Sequence, residues 1–355
     1  MSTESFTTQV QTTSHAIRDV LRWLKLSESA LGNASDRLNA INIFPVADGD
    51  TGSNMYATIS ASRVALMAHV ESLSDDQQAT MTVGDCLGVA GRAALDHAHG
   101  NSGTLIAVII NAMAPPLDGA TRLSAPLFLA GLQRARTAAW AALSDPQEGT
   151  MLSVLEAATQ AAQAGLQKLN YAEEDRRHSR KTLEVVVNSV VEAAWRSAVE
   201  TEHQLYELTE AHVVDAGGMG LLLVLDALRA SVRGQRLDPD ILDSLNGFHP
   251  QYPHVHQDMD VEEGFEVMCS LELTPLDAAT LRFGLDEIGD SVIMSPMTMS
   301  EDQAGTVRWR LHVHVPESEQ ALDLIRRVGE PENLTITALH EIDDEHCHTH
   351  DNHQH

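Results

Sequence analysis

Two stretches of apolar residues at helical spacing constrain the fold of this chain more than any other feature. In the first, the apolar positions of 17–24 follow two suitable N-terminal caps, Thr13 and Ser14. In the second, apolar residues of 183–194 recur at three- and four-residue steps over three turns. Three further Ala- and Leu-rich segments are long enough for helices: 104–113, 152–166 and 219–230. Aromatic residues make up only 4% of the chain, so we expect small aliphatic side chains between closely packed helices.

The pattern changes in the last third of the chain. A stretch with several prolines and histidines at 236–262 is interpreted as a linker between a helical unit at 10–235 and a second unit at 263–342. Two strands and two helices are predicted in the second unit: Val267–Leu273, Val307–Val315, 275–287 and 317–328. The fold class predicted is therefore an all-α domain followed by a smaller α+β domain. The last residues, 343–355, are rich in histidine and are expected to be disordered.

Composition excludes several classes of function. Acidic residues outnumber basic ones 51 to 23, and a net charge of −28 argues against nucleic acid or an anionic membrane as a partner. The three cysteines are far apart and odd in number, so no disulfide framework is expected. No apolar run reaches the roughly 20 residues that span a bilayer, and no secretory signal is visible, so we expect no integral membrane segment and a cytoplasmic location.

The segment from Asn42 to Met55 carries the strongest chemical signal. Asp48 and Asp50 stand two residues apart on a glycine-containing turn and can direct oxygens at one point, which suits Mg²⁺. The polar residues that follow, at 51–54, offer amides and side chains where a helix begins, and this favours phosphate binding. An ordinary Asp/Gly turn without a ligand would use the same residues.

Two more loops have the same form. Gly100–Gly103 precedes the apolar segment 104–113, and 214–220 precedes another apolar segment. Helix caps alone can use such residues. Three such loops that precede helices in one unit are nevertheless hard to explain as helix caps alone.

These motifs resemble a known family. The segment LNAINIFPVADGDTGSNM resembles the signature of the DhaL-type kinase domain, in the form found in the catalytic subunit of bacterial fatty acid kinases. GNSG, the EGTML segment at 148–152 and VVDAGGMGLL resemble the later motifs of that family, in the same order. The resemblance covers roughly residues 10–230. It implies an antiparallel α-helical barrel that binds a nucleotide through magnesium at one end.

The resemblance also implies roles for individual residues. Asp48 and Asp50 would be catalytic and would hold the magnesium ions, two of them, with Asn42 as a further ligand. ATP or ADP would contact eleven residues of the motifs: Thr51, Gly52, Ser53, Asn54, Asn101, Ser102, Thr150, Met151, Asp215, Ala216 and Gly217.

The second unit resembles the middle domain of the same family through GDS at 289–291 and the strand LHVHV. The resemblance implies a Zn²⁺ site formed by Cys269, His312 and His314. The two histidines alternate onto one strand face, with their Cα atoms roughly 7 Å apart. The other interpretation of the same residues is an exposed strand with two solvated histidines and a buried, inert cysteine.

The function implied is an ATP- and Mg²⁺-dependent kinase that phosphorylates a fatty acid carboxylate presented by a separate lipid-binding protein. Catalytic subunits of that family carry a third, C-terminal domain that engages this partner, and this chain resembles a truncated form without it. Two alternatives stay open: a nucleotide subunit of the dihydroxyacetone (glycerone) kinase type, and a non-catalytic regulator that binds nucleotide and metal. A homodimer formed through the middle domain is a further hypothesis.

Overall fold

The computed structural model describes residues 13–168, 174–237, 264–297 and 305–339. The predicted linker at 236–262 lies almost entirely outside these ranges, and the predicted tail at 343–355 lies wholly outside them.

Helices form the described part of the chain up to residue 237. The α-helices are α1 (His15–Ala40), α2 (Thr51–Ser72), α3 (Asp75–Thr80), α4 (Val83–His97), α5 (Gly100–Met113), α6 (Ala125–Ala142), α7 (Met151–Gln167), α8 (Glu174–Arg177), α9 (Arg180–Glu200), α10 (Tyr206–Ala211) and α11 (Ala216–Arg233). The cap expected at the first helix is present, since Ser14 Oγ accepts a hydrogen bond from the Ile17 N–H at 3.2 Å.

Helix α11 lies at the centre of this domain. All of its residues from Ala216 to Leu228 are buried, and it packs on α1, α2, α7 and α9. The Trp23 indole of α1 donates to the Val224 carbonyl at 3.1 Å. A side chain at Gly220 would meet the end of the Met55 side chain of α2, so glycine leaves room for Met55 between these two helices. Small residues thus allow the dense aliphatic core expected from the low aromatic content.

The second domain is a four-stranded antiparallel sheet with two helices. Its elements are β1 (Gly264–Leu273), α12 (Pro275–Asp286), β2 (Asp290–Pro296), β3 (Val307–Val315), α13 (Ser318–Val328) and β4 (Glu332–Leu339). The strand order is β2-β3-β1-β4. The fold class predicted from the sequence, a helical domain followed by a smaller α+β domain, is confirmed.

The two faces of the sheet have different partners. One face packs with α12 and α13 around Leu281, Leu311 and Ile325. The other face lies against the helical domain, where Ile293 joins a small apolar cluster with residues of α4 and α5. The Arg282 guanidinium of α12 donates to the Ala141 carbonyl at 2.8 Å, and so ties the second domain to the end of α6.

Strands β2 and β4 were not expected from the sequence. Most of β4 is exposed at the edge of the sheet, although Leu334, Ile336 and Ala338 alternate with polar residues as in a strand. None of the described helices is long and apolar enough to cross a membrane.

Candidate active site

Two carboxyl groups lie together in the loop between α1 and α2. Gly49 has a φ of +65°, which allows the chain to turn between Asp48 and Asp50. Asn42 Nδ2 donates to Asp48 Oδ1, so the structure gives Asn42 a supporting contact to the predicted ligand. Burial raises the pKa of both carboxyls, and the charge of Asp50 raises the pKa of Asp48 further. A divalent cation bound to these oxygens would offset that cost, so the pair fits the expected Mg²⁺ site.

Several helix N-termini converge beside the carboxyl pair. Helices α2, α5, α7 and α11 begin at Thr51, Gly100, Met151 and Ala216. Thr51 Oγ1 lies 3.1 Å from Ser102 Oγ, which joins the starts of α2 and α5. Asp215 Oδ2 accepts from the Gly218 N–H at 2.6 Å and also accepts from the Met151 N–H, which joins α7 and α11. The free N–H groups of helix starts form a natural anion site.

A cavity of about 740 Å³ opens at these helix starts. Its wall contains six of the seven predicted nucleotide contacts outside the first motif: Asn101, Ser102, Thr150, Met151, Asp215 and Gly217. This volume lies within the range of small-molecule sites. Ala216 is buried in the helical core behind the cavity wall.

The charges of this cavity are all of one sign. Asp145, Glu207, Asp286 and Asp290 line it in addition to Asp215, and no described lining residue is Lys, Arg or His. Burial raises the pKa of Asp215 to about 7, although the N–H groups that it accepts from oppose this shift. A phosphate ligand can therefore be held there only by helix N-termini, polar groups and added cations.

Two backbone amides of the first motif, which were expected to contact a phosphate, are bound within the protein. The N–H groups of Gly52 and Ser53 both donate to Asn39 Oδ1, at 2.8 and 3.2 Å, so neither amide is free for a phosphate. A side chain at Gly52 would overlap the backbone of Ser35, so this glycine serves the packing of α2 on α1. The Asn54 side chain hydrogen-bonds to Asp50 and so orients that carboxyl. Asn39 was missed in the sequence, although it lies in the LNAIN segment that precedes the motif.

A second polar cluster lies on the sheet face that meets the helical domain. Glu266, His312 and His314 each offer one ligand atom, and these atoms lie within 4.8 Å of one another. The prediction that Cys269 completes the histidine pair is wrong. Cys269 is paired with Leu311 and therefore lies on the opposite face of the sheet, within the apolar core. Burial raises the pKa of its thiol to about 12, so it is a poor ligand.

Comparison with known proteins identifies both parts of the chain. The DAK2 domain family matches residues 45–230, which is more than half of the chain. The chain belongs to the DAK2 domain family. The FakA-like middle-domain family of fatty acid kinases matches residues 262–351.

The relatives of this DAK2 domain protein are longer than the chain. Protein YloV of Bacillus subtilis (strain 168) is 28% identical, over 88% of this chain and 53% of that protein. The uncharacterized protein SERP0792 of Staphylococcus epidermidis is 26% identical with the same coverage. The chain thus spans about half the length of these relatives. The crystal structure of the dihydroxyacetone kinase from C. freundii in complex with AMP-PNP and Mg²⁺ aligns with 65% of this chain and 37% of that one, at 19% identity and a TM-score of 0.43.

Hydrogen bonding around His312 in the middle domain calls for a proton or a metal ion between His312 and Glu266. His312 Nδ1 lies 3.1 Å from the Ser291 carbonyl, which can only accept, so Nδ1 carries a hydrogen. His312 Nε2 lies 3.0 Å from Glu266 Oε1. A neutral ring and an ionised Glu266 would bring two acceptors together, so this contact requires either a proton between the two groups or a metal ion bound to both. Burial lowers the pKa of His314 to about 3, with His312 as a second cause, so His314 is neutral and able to bind a metal.

The middle domain reaches the start of α5 in the DAK2 domain through three contacts. Glu266 Oε1 accepts from the Gly100 N–H at 2.9 Å. Asn101 Nδ2 donates to Ser291 Oγ at 3.2 Å, and Arg310 Nη2 donates to the Ala98 carbonyl at 3.4 Å. Burial raises the pKa of Glu266. The hydrogen bond and the electrostatic interaction with His312 have the opposite effect, and the pKa of Glu266 is lowered to about 2. These contacts could not be predicted from the sequence, because they depend on how the two domains pack.

Proposed function

We propose that this chain is the nucleotide-binding subunit of a kinase that uses ATP and Mg²⁺ to phosphorylate a fatty acid carboxylate presented by a separate lipid-binding protein. One observation carries the proposal: a buried carboxyl pair stands beside a cavity at which several helices begin, and that cavity has no basic residue among its described lining. Such a site suits a nucleotide only when cations accompany the phosphates.

The magnesium ions would be held by Asp48 and Asp50, with Asn54 and Asn42 keeping these carboxyls in place. When bound, Mg²⁺ neutralises negative charge on the phosphate oxygens. The N–H of Gly100 donates to Glu266 and that of Gly218 to Asp215. The other N–H groups at the starts of α5 and α11 would supply further positive potential from fixed positions, so the protein would not need to reorganise during transfer. The nucleotide would lie in the cavity against Thr150, Met151 and Gly217.

Phosphoryl transfer to a carboxylate does not require a general base. The acceptor is already ionised at pH 7, so its oxygen can attack the γ-phosphorus without losing a proton. The new bond joins that oxygen to the γ-phosphorus, and the bond from the γ-phosphorus to the bridging oxygen breaks as ADP leaves with the electron pair. The products are an acyl phosphate and ADP. The work of the protein is positioning and charge stabilisation.

One observation supports a fatty acid delivered by another protein. The second domain matches the FakA-like middle domain of fatty acid kinases. The cavity is lined by acidic side chains such as Asp145, Glu207 and Asp290, which repel a free carboxylate anion. A partner that holds the acyl chain and directs its carboxylate would overcome this repulsion.

We further propose that Glu266, His312 and His314 bind one Zn²⁺ ion. One carboxylate and two imidazoles are a suitable ligand set for zinc and a poor one for magnesium. His312 Nδ1–H would keep its hydrogen bond to the Ser291 carbonyl, which is how protein-bound zinc histidines are usually oriented. The role would be structural or regulatory.

The test combines the chain with a fatty-acid-loaded binding protein, ATP, Mg²⁺ and hydroxylamine, which converts an acyl phosphate to a stable hydroxamate. We expect hydroxamate from the native chain and none from the Asp48→Asn/Asp50→Asn variant. Phosphorylation of dihydroxyacetone by the chain with a triose-binding subunit would instead assign it to the glycerone kinase type. Nucleotide binding without transfer to any acceptor would assign it to the regulators.

A further inference from the structure

Ser291 of the middle domain occupies an unusual position. It is the second residue of β2, it lines the cavity, and its φ is +52°. Non-glycine residues in this left-handed region are uncommon and hold it at a cost of about 1 kcal/mol or more unless contacts fix them. Such backbone conformations cluster at functional sites.

Two hydrogen bonds hold Ser291 in this conformation, one within the middle domain and one to the helical domain. Its carbonyl accepts from His312 Nδ1 at 3.1 Å, within the candidate zinc cluster. Its hydroxyl accepts from Asn101 Nδ2 at 3.2 Å, at the start of α5. Ser291 is therefore a direct link from the middle domain to the loop that faces the nucleotide cavity.

The contact fixes the Asn101 side chain. With Nδ2 engaged by Ser291, Asn101 Oδ1 is buried and has no hydrogen-bond partner among the described residues. An unpaired buried amide oxygen is unfavourable, and it suits a cation, a cation-bound water or another donor brought by a ligand. Asn101 also lines the cavity, next to Ser102 and its contact with Thr51.

From this geometry we infer that Ser291 is a positioning residue of the nucleotide site, contributed by the middle domain, which holds the Asn101 amide in the orientation that binds the magnesium nucleotide. The inference rests on the proposed function. The nucleotide site is then a composite of the two domains, and the DAK2 domain alone lacks one of its supports.

The test measures the dissociation constant of Mg·ADP by calorimetry on the full chain. Loss of one positioning hydrogen bond should weaken binding roughly 5- to 10-fold in Ser291→Ala. Ser291→Gly removes the same hydroxyl but relieves the backbone, so its melting temperature should equal or exceed that of the native chain while its affinity falls by the same factor. A purely structural role for Ser291 would not produce this combination.

A double-mutant cycle ties the effect to Asn101. Asn101→Ala in the Ser291→Ala background should weaken binding by less than it does in the native background, because the two residues act as one unit. The matched control is Asn111→Ala, which removes the contact of α5 with the Pro296 carbonyl of the middle domain at the other end of the helix. Its affinity should stay within twofold of native.

The outcomes separate this inference from the proposed function. If the native chain binds Mg·ADP and both Ser291 variants bind it equally well, the positioning role is refuted and the proposed function stands. Additive effects of Ser291→Ala and Asn101→Ala would also refute the role. If the native chain itself does not bind Mg·ADP, the proposed function fails first.

Discussion

Replacing one carboxyl of the buried pair should stabilise the free protein and weaken its response to nucleotide. The substitution Asp48→Asn keeps an oxygen that can accept from Asn42 but removes the charge. Burial and the charge of Asp50 raise the pKa of Asp48 from 3.8 to about 8. At pH 7 the folded state therefore keeps Asp48 mostly protonated while the unfolded chain ionises it, and this difference destabilises the folded state by up to ~4 kcal/mol. Because Asp48 keeps some solvent contact and shares a hydrogen bond with Asp50, we expect about half of this, ~2 kcal/mol.

The pH dependence has a definite sign. A folded-state pKa above the unfolded value gives stability that is present at low pH and is lost as the pH rises from 3.8 towards about 8. Without metal, the native chain should therefore lose stability from pH 5 to pH 8 more steeply than Asp48→Asn does. At pH 7 the variant should melt roughly 3 °C higher, because the unfolding entropy of about 2.1 cal/mol/K per residue is summed over a chain of 355 residues.

Saturating Mg·ATP should reverse the order of the two proteins. The native chain gains about 2.7 kcal/mol at a ligand concentration of 100 times Kd, whereas the variant has lost a magnesium ligand and gains far less. Differential scanning calorimetry at pH 5, 7 and 8, with and without Mg·ATP, measures both effects. Asp323→Asn, which removes an exposed carboxylate of α13 outside the cavity, is the control and should shift neither curve by more than about 1 °C. A metal-free Asp48→Asn that melts below the native chain at pH 7 would refute the reasoning.

Four further substitutions test other parts of the protein. Gly100→Ala should abolish nucleotide binding and destabilise the fold by about 3 kcal/mol in denaturant unfolding, because the φ of Gly100 is +61° and the new side chain would collide with Asn54. The control is Gly119→Ala, where φ is +69° and no atom lies within 4 Å; it should cost only about 1 kcal/mol and leave nucleotide binding intact. Mass spectrometry of protein lacking the His-rich tail should show about one zinc per chain for Cys269→Ala and almost none for Glu266→Ala; equal zinc in both would contradict the ligand assignment.

The helical domain was largely predictable because its signals are local. The apolar periodicity of 183–194 lies within α9, and the segment 104–113 lies within α5. Glycine-rich clusters mark helix starts in any sequence, so the loops that meet at the cavity could be named one by one. Their convergence could not be predicted from spacing, because it depends on the packing of helices far apart in the chain. The resemblance to a family supplied that step.

The ligand set and the interdomain contacts of the second domain were predicted less well from the sequence. The phase of β1 contained a usable signal: Val267, Leu271 and Cys269 alternate together, and this places Cys269 with the apolar residues and away from the histidine face. The same alternation places Glu266 on the histidine face. Because cysteine is a common zinc ligand, ligand type alone favours Cys269, whereas the alternation favours Glu266. The contact of Ser291 with Asn101 had no sequence signal, because it forms only when the two domains pack together.

The interface between the helical domain and the middle domain also determines how the protein should unfold. Arg310 and His312 are almost fully buried on the sheet face that meets the helices, and Ile293 lies in an apolar cluster formed by both domains. Separating the domains would expose the apolar residues of this cluster to water and break the hydrogen bonds of the middle domain to Ala98, Gly100 and Asn101. The two domains should therefore unfold in one cooperative transition, and amide hydrogens of β3 should exchange with solvent as slowly as those of α5. The pair of domains, and not either domain alone, is then the smallest part of this chain that keeps the cavity intact.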